Sequence, residues 1–418
     1  MAPPLTRFDL RQMLMMRGGG RPLNATLQTT WTDNSVDWER VNVASYFDED
    51  VGSTQEVIPM LVARPSTTRK EKLPVVIFSH GTGKGKSDPS LTRHMERYAK
   101  SFDTACVSFD SRYHGETRGG VDDDEEDRAT RVAPYVDRLI DVWRDDDLSS
   151  ERPFIFDSAV DALRVVDYVQ TRPDFDGTKV GATGISLGGM ITWFAAAADD
   201  RIAVAAPAIG VQHFRYAYEN DAFVGRVESV QKLFDAAKVD VGKSEVDAEL
   251  FKLVLDKITP GLLDTYDAPR SLPLIAPRPL LVVNGELDHR CPIAAVADLY
   301  LDLLHGSAYR EAPSNLGLYI GRGVKHQVTD DMWGAIDRWF QRFLFVDDDP
   351  TLTVTTTLEE EPPGGDSHQD SPFCPASDAS FLRDPHETDL ATHRNQSLAY
   401  LRSFDFWEKG GEQTTNYS

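Results

Sequence analysis

Short apolar runs alternate with stretches of helical period along most of this chain. Leu73–Ser79 (LPVVIFS) and Thr104–Phe109 (TACVSF) are short, β-branched and apolar throughout, which predicts strands buried on both faces. Lys179–Ile185, Ile202–Ile209, Leu280–Asn284 and Leu316–Ile320 read the same way. Before them, Arg40–Tyr46 and Gln55–Ala63 alternate around Asp48-Glu49-Asp50-Val51-Gly52, which predicts a hairpin. Between the strands, Phe156–Gln170 repeats apolar residues at Ala159, Leu163, Val166 and at Ala162, Val165, Val169, with Asp157 available as a cap. Helices are also predicted after Gly188-Gly189 through Trp193 and Ala195–Ala198, over Ile293–Leu304, and over Met332–Phe343. Strands alternating with helices predict an α/β fold: a mainly parallel central sheet with helices on both faces.

Two insertions interrupt the alternation. Gly119–Ser150 carries the acidic run Asp122–Asp127, read as a solvated loop. Val211–Ala276 is helical, mixed in polarity, and too long for a simple connection, so a helical cap over about 211–276 is expected. The resulting organisation is an irregular N-terminal segment (1–38), one α/β domain (39–345) and an acidic tail (346–418). Asp347–Pro350, a Thr-rich stretch and Glu359–Gly365 predict disorder there, with the aromatic segment Ser397–Trp407 as an exception.

The chain has 418 residues, 44 basic against 67 acidic, for a formal charge of −23. That balance argues against nucleic-acid binding, which needs Lys and Arg on phosphates. Three widely spaced cysteines (Cys106, Cys291, Cys374) fit reduced thiols better than a disulfide scaffold or a Cys-rich zinc site. No apolar run is long enough to span a bilayer. The Arg7, Arg11, Arg17 and Arg21 region lacks the long apolar stretch of a secretory signal. A cytoplasmic location is therefore expected, with organelle targeting left open.

The sharpest chemical signal is Gly184-Ile185-Ser186-Leu187-Gly188, at the end of a predicted strand and the start of a predicted helix. Such a turn presents a serine hydroxyl at the carboxyl edge of the sheet. A serine needs a histidine base held by a carboxylate, and in this topology they follow in the order Ser, acid, His. His326, after the last predicted strand, fits the base, and Asp288 in Gly285-Glu286-Leu287-Asp288 fits the acid, with Glu286 as runner-up. Oxyanion donors are assigned to the amides of Leu187 and Thr82, with Gly81 as the alternative to Thr82. His80 is read as structural. Phe214, Tyr216 and Tyr218 at the start of the cap are candidates for an acyl pocket, against the plainer reading that they are core.

Other motifs read as structural. His80–Ser87 misses the phosphate-loop pattern because the first glycine is His80, and Asp88-Pro89 is taken to break any helix after it. Lys84 and Lys86 are read as solvated, and Arg112 as a buried arginine bonded to loop carbonyls. No residue set has metal-ligand spacing, and the expected chemistry calls for no metal or cofactor.

Together, His80-Gly81, Gly184–Gly188, Gly285–Asp288 and His326 resemble the α/β-hydrolase superfamily over roughly Val41–Phe345. Asp110-Ser111-Arg112-Tyr113-His114-Gly115 is similar to the D-x-R-x-x-G segment of its dienelactone-hydrolase-like, acetyl xylan esterase and prolyl-oligopeptidase-type branch. Dienelactone hydrolases use a cysteine nucleophile where this chain has Ser186. The resemblance implies the fold and serine hydrolase chemistry, and no particular substrate; the expected reaction is cleavage of a small-molecule carboxylic ester or thioester through Ser186, Asp288 and His326. The alternatives are a non-catalytic binding protein of the same fold, or a peptidase or acyltransferase using the same residues. Sequence leaves the oligomeric state open.

Overall fold

The computed structural model describes residues 4–15, 22–45, 57–118, 127–147 and 152–345. The acidic turn 48–52, residues 119–126 and the tail 346–418 lie outside them. Among the described residues the strands are β1 (Thr26–Asp33), β2 (Val36–Ala44), β3 (Val57–Pro65), β4 (Leu73–Ser79), β5 (Ala105–Phe109), β6 (Phe175–Ile185), β7 (Ile202–Ala208), β8 (Leu280–Gly285) and β9 (Leu316–Gly321). The helices are α1 (Arg7–Met15), α2 (Pro89–Phe102), α3 (Arg128–Arg144), α4 (Phe156–Thr171), α5 (Leu187–Ala198) and α6 (Phe214–Glu219). They continue with α7 (Val224–Ser229), α8 (Gln231–Asp240), α9 (Ala248–Ile258), α10 (Ala268–Ser271), α11 (Ile293–His305) and α12 (Asp330–Phe343).

One sheet runs in the order β1-β2-β3-β5-β4-β6-β7-β8-β9. The pairs from β5 through β4 to β9 are parallel, and β1, β2 and β3 add an antiparallel edge. The predicted hairpin is β2 against β3, and the mainly parallel sheet is as expected. Alternate residues of the central strands enter opposite cores, because successive side chains of a strand point to opposite faces. Val75 and Ile77 of β4 join the core under α4 and α5, while Val76 and Phe78 join the core under α2 and α12. Leu280 and Val282 of β8 divide from Leu281 and Val283 in the same way. Each such fully buried Phe or Val contributes about 1.5–3 kcal/mol of transfer free energy.

In its secondary structure and helix caps the structure departs from the sequence expectation in three places. The described part of segment 1–38 is not irregular: α1 buries Leu10 and Leu14 in the core, and β1 pairs with β2. β1 is exposed along its whole length, so its Thr-rich sequence carries no inside–outside alternation to reveal it. Asp88-Pro89 does not break a helix but starts one. The Asp88 side chain accepts from the Ser90 amide at 2.9 Å and Pro89 occupies the first turn, where a missing N–H costs nothing. That helix, α2, is tied to α12 by Arg97 bridging both oxygens of Asp337 at 2.5 and 2.7 Å. Finally, α4 takes no cap from Asp157, whose carboxylate receives the Arg152 amide instead.

The insertion between β7 and β8 is helical, carrying α6 to α10. Its entry is fixed by Asp267, which accepts the amides of Phe214 at 3.0 Å and Arg215 at 2.8 Å. It is also tied to α3, where Trp143 Nε1 and Arg144 Nε both donate to Asp240 of α8.

Candidate active site

The loops at the carboxyl ends of the parallel strands meet at Ser186. It sits between β6 and α5 with φ +57°, a conformation that L residues avoid and that this turn enforces. The flanking glycines explain how. A Cβ on Gly188 would lie 2.0 Å from the Ser79 carbonyl oxygen, and one on Gly184 would lie 2.4 Å from the Gly188 oxygen. Strand β4 and the first turn of α5 therefore press together at a distance that only glycine allows. α5 behind it is buried at every position, so the turn rests on a rigid element.

His326 follows β9 and points back to the serine. Its Nε2 is 2.8 Å from Ser186 Oγ, and its Nδ1 is 2.7 Å from Asp288 Oδ2. The other oxygen of Asp288 accepts the amides of Arg290 at 2.8 Å and Cys291 at 3.1 Å. Asp288 is thus held on both oxygens and fully enclosed. The Glu286 carboxylate is used differently: it accepts the Gly323 amide at 2.9 Å and so ties the acid loop to the loop of His326. Leu287 N–H donating to Val324 O at 2.8 Å makes a second tie. Geometry therefore separates Asp288 from the runner-up Glu286.

Burial is the largest influence on His326 and moves its pKa below the ordinary value. Asp288 opposes that shift by bond and charge, while the positive charges of Arg290 and Arg226 reinforce it. The imidazole therefore stays neutral, and able to accept a proton, to a lower pH than a free histidine.

On the other side of Ser186 lies the loop after β4. Lys84 N–H donates to Gly81 O at 3.1 Å and Gly83 has φ +79°, a type II turn with Thr82 at its second position. A Cβ on Gly81 would lie 3.9 Å from Ser186 Cβ, so this turn borders the serine directly. Leu187, the first residue of α5, borders it from the helix side, where an amide has no acceptor inside the helix. His80 is buried beneath the turn. Its Nε2 accepts the Ser111 amide at 3.0 Å and its Nδ1 lies 2.9 Å from Gly81 O, which makes it a neutral spacer rather than a base.

Other candidates fall elsewhere. Phe214 is 1% exposed and packs edge-on against Phe154 in the core. Tyr218 donates its hydroxyl to Glu249 of α9 within the cap, and Tyr216 lies beside His213. None of the three joins the hydrogen-bonded chain at Ser186. Lys84 pairs with Asp88, and Lys86 is not solvated: 4% exposed, it bridges Asp110 at 2.8 Å and Glu116 at 2.6 Å. Asp110 also accepts the Lys86 amide, so this pair, whose role the sequence did not reveal, pins the loop bearing Thr82 to the loop after β5. Arg112 is buried as expected, but it is ion-paired to Asp161 of α4 at 2.9 Å. Asp288, Cys291 and His326 lie within 4.8 Å of one another, yet Asp288 and His326 are engaged by the bonds above and the Cys291 thiol donates to Ile209 O. A cavity of about 350 Å³ lined by Lys70, Lys72, Pro74 and Lys179 lies beside the starts of β4 and β6, at the opposite end of the sheet.

Residues 25–228 match the acetyl xylan esterase (AXE1) family model. A protein of Bacillus subtilis (strain 168) named "Putative hydrolase YtaP" is 27% identical over 177 residues, 40% of this chain and 50% of that one. The chain thus spans half the length of that curated relative. Acetyl xylan esterase 1 from Thermoanaerobacterium sp. JW/SL YS485 superposes with a TM-score of 0.55 at 16% identity, covering 82% of this chain and 95% of that one. The acetyl xylan esterase of Paenibacillus sp. R4 gives 0.54 at 18% identity, over 82% and 96%. At such identities the structural likeness speaks for the fold.

Proposed function

We propose that this chain is an α/β-hydrolase and cleaves a carboxylic ester through Ser186, His326 and Asp288, a reading that the family match and the fold support. The observation that carries the reading is the continuous chain from Ser186 Oγ through both imidazole nitrogens to a buried carboxylate, at 2.8 and 2.7 Å. The esterase family match supports the same chemistry.

In this reading Ser186 Oγ attacks the ester carbonyl as its proton passes to His326 Nε2. Asp288 keeps the Nδ1 proton in place and stabilises the imidazolium. The amides of Leu187 and Thr82 face the developing oxyanion. The tetrahedral intermediate expels the alcohol, which takes the proton from Nε2. Water then attacks the acyl-enzyme with the same base, and the acid leaves. A short acyl group is the first candidate, on the strength of the family match.

A fluorophosphonate probe tests this, because it reacts with a serine activated by a working base. Labelling of the wild type and none of Ser186→Ala is the expected result. Equal labelling of both, or none of a well-folded wild type, overturns the reading. The latter outcome favours a binding protein. A panel of short acyl esters, amides and alternative acyl acceptors then separates esterase from peptidase and acyltransferase.

A further inference from the structure

Arg226, on α7 of the cap, is 5% exposed, and among the described residues two of its side-chain nitrogens are buried without an acceptor. Its Nε and Nη2 are enclosed, and its neighbour is the Phe154 ring at 5.9 Å. A guanidinium taken out of water without acceptors is costly, because it carries five donors and a charge that cannot be discharged. Arg290, two residues after Asp288, repeats the pattern: its Nε is buried with no acceptor, while its main-chain amide holds Asp288. The Tyr135 hydroxyl of α3 is also buried without a partner.

These groups are built onto the site. A Cβ on Gly225 would fall 2.4 Å from the His289 carbonyl, so α7 lies directly against the acid loop. Glu228 of α7 and His289 meet at 2.9 Å and fix the same contact. Arg226 and Arg290 are near enough to His326 for both charges to oppose its protonation. The carboxylate beside them, Asp288, is already spent on His326 and two amides. This cationic cluster stands in a chain with 67 acidic residues against 44 basic. Elsewhere Arg172 faces Glu39 and Asp174, and Arg201 faces Asp199 and Asp167.

We propose that Arg226 and Arg290 form an anion subsite beside Ser186 and His326, and that the ester cleaved here carries a free carboxylate. The planar, forked donors of two guanidiniums match a carboxylate, and Tyr135 supplies a further hydroxyl donor. The proposal rests on the ester-hydrolase reading above.

The test separates the two. Succinate is titrated calorimetrically into full-length Ser186→Ala at constant ionic strength. Saturable binding is expected, weakened at least tenfold by Arg226→Met and by Arg290→Met, and unchanged by Arg144→Met, whose partner is the surface carboxylate of Asp240. With Ser186 intact, mono-4-nitrophenyl succinate should be cleaved with at least tenfold higher kcat/KM than 4-nitrophenyl butyrate, and Arg226→Met should erase the preference. If Arg226→Met does not fold, Arg226→Lys and Arg290→Met serve the same comparison. No succinate binding, binding indifferent to both arginines, or tighter binding of inorganic phosphate than of succinate overturns the carboxylate subsite. Succinate binding through Arg226 without ester turnover overturns the hydrolase reading and leaves the subsite standing. Neutral-ester turnover without anion preference does the reverse.

Discussion

Arg112 and Arg226 are the same residue type at similar depth, and the protein treats them in opposite ways. Arg112 is fully enclosed, with Nε 2.9 Å from Asp161 Oδ2, off the line of a good hydrogen bond. Its Nη2 reaches Asp161 Oδ1 at 3.1 Å and Ser45 Oγ at 2.9 Å, and Ser45 itself donates to Asp161 at 2.7 Å. That cluster joins the loop after β5 to α4 and is electrostatically closed. Arg226 sits against the acid loop with no carboxylate of its own. A buried charge answered inside the protein is architecture. A buried charge left unanswered next to the proposed nucleophile is an invitation to a ligand. Even the closed pair is not cheap, since burial raises the Asp161 pKa above its ordinary value in spite of Arg112.

The largest effect expected separates chemistry from both clusters. Ser186→Ala should lower kcat by about three to six orders of magnitude with little change in thermal unfolding. Steady-state rates on a short-chain ester, beside a melting curve, check this. A variant that stayed active would remove the reason for calling the surroundings of Arg226 a substrate site.

The next effect tests the closed cluster. Arg112→Met leaves Asp161 buried and unpaired and should cost about 3–5 kcal/mol of stability. Arg112→Met with Asp161→Leu removes both charges and should recover much of that loss. Denaturant unfolding of the single and double variants measures the difference. Equal losses in both would mean that the pair stabilises by shape and not by charge.

Arg226→Met is expected to do the opposite. It removes a desolvated charge that has no partner, so the unfolding midpoint should stay level or rise, while anion recognition falls. A loss of stability matching that of Arg112→Met would show that Arg226 has an internal partner, and the contrast between the two arginines would collapse.

What could be read from sequence follows the same division. Ser186, Asp288 and His326 were legible because each lies in a short loop after an apolar strand, where turn chemistry and order restrict the choices. The strands β4 to β9 were legible from continuous burial. α2 was missed because Pro89 was read as a breaker when it stands in the first turn. β1 was missed because neither of its faces is buried. The burial of Lys86 and of Arg226 was not legible, and for Arg112 only the burial was, not its partner Asp161. A charged residue in a sequence does not name its partner, which arrives only when distant segments meet. Lys86 and Asp110 are 24 positions apart, and Arg112 and Asp161 are 49.

The smallest expected effect is also the most direct reading of the open charge. In the proposed mechanism His326 must be neutral to accept the proton of Ser186, so activity on a neutral ester should fall as the imidazole protonates. Burial lowers its pKa first, Asp288 raises it, and Arg290 and Arg226 lower it again. The acid limb should therefore lie below the ordinary histidine value of about 6.5. Replacing either arginine by Met withdraws a positive charge that opposes protonation, so the limb should move toward higher pH. Arg144→Met, at the surface with Asp240, should leave it in place. A neutral ester is essential here, because an anionic one would lose binding together with the charge and confuse the two effects. The profile of kcat/KM between pH 4 and 8 for the three variants decides the matter. An acid limb that ignored Arg226 and Arg290 would place their charges out of reach of the imidazole, and with them the anion they are proposed to hold.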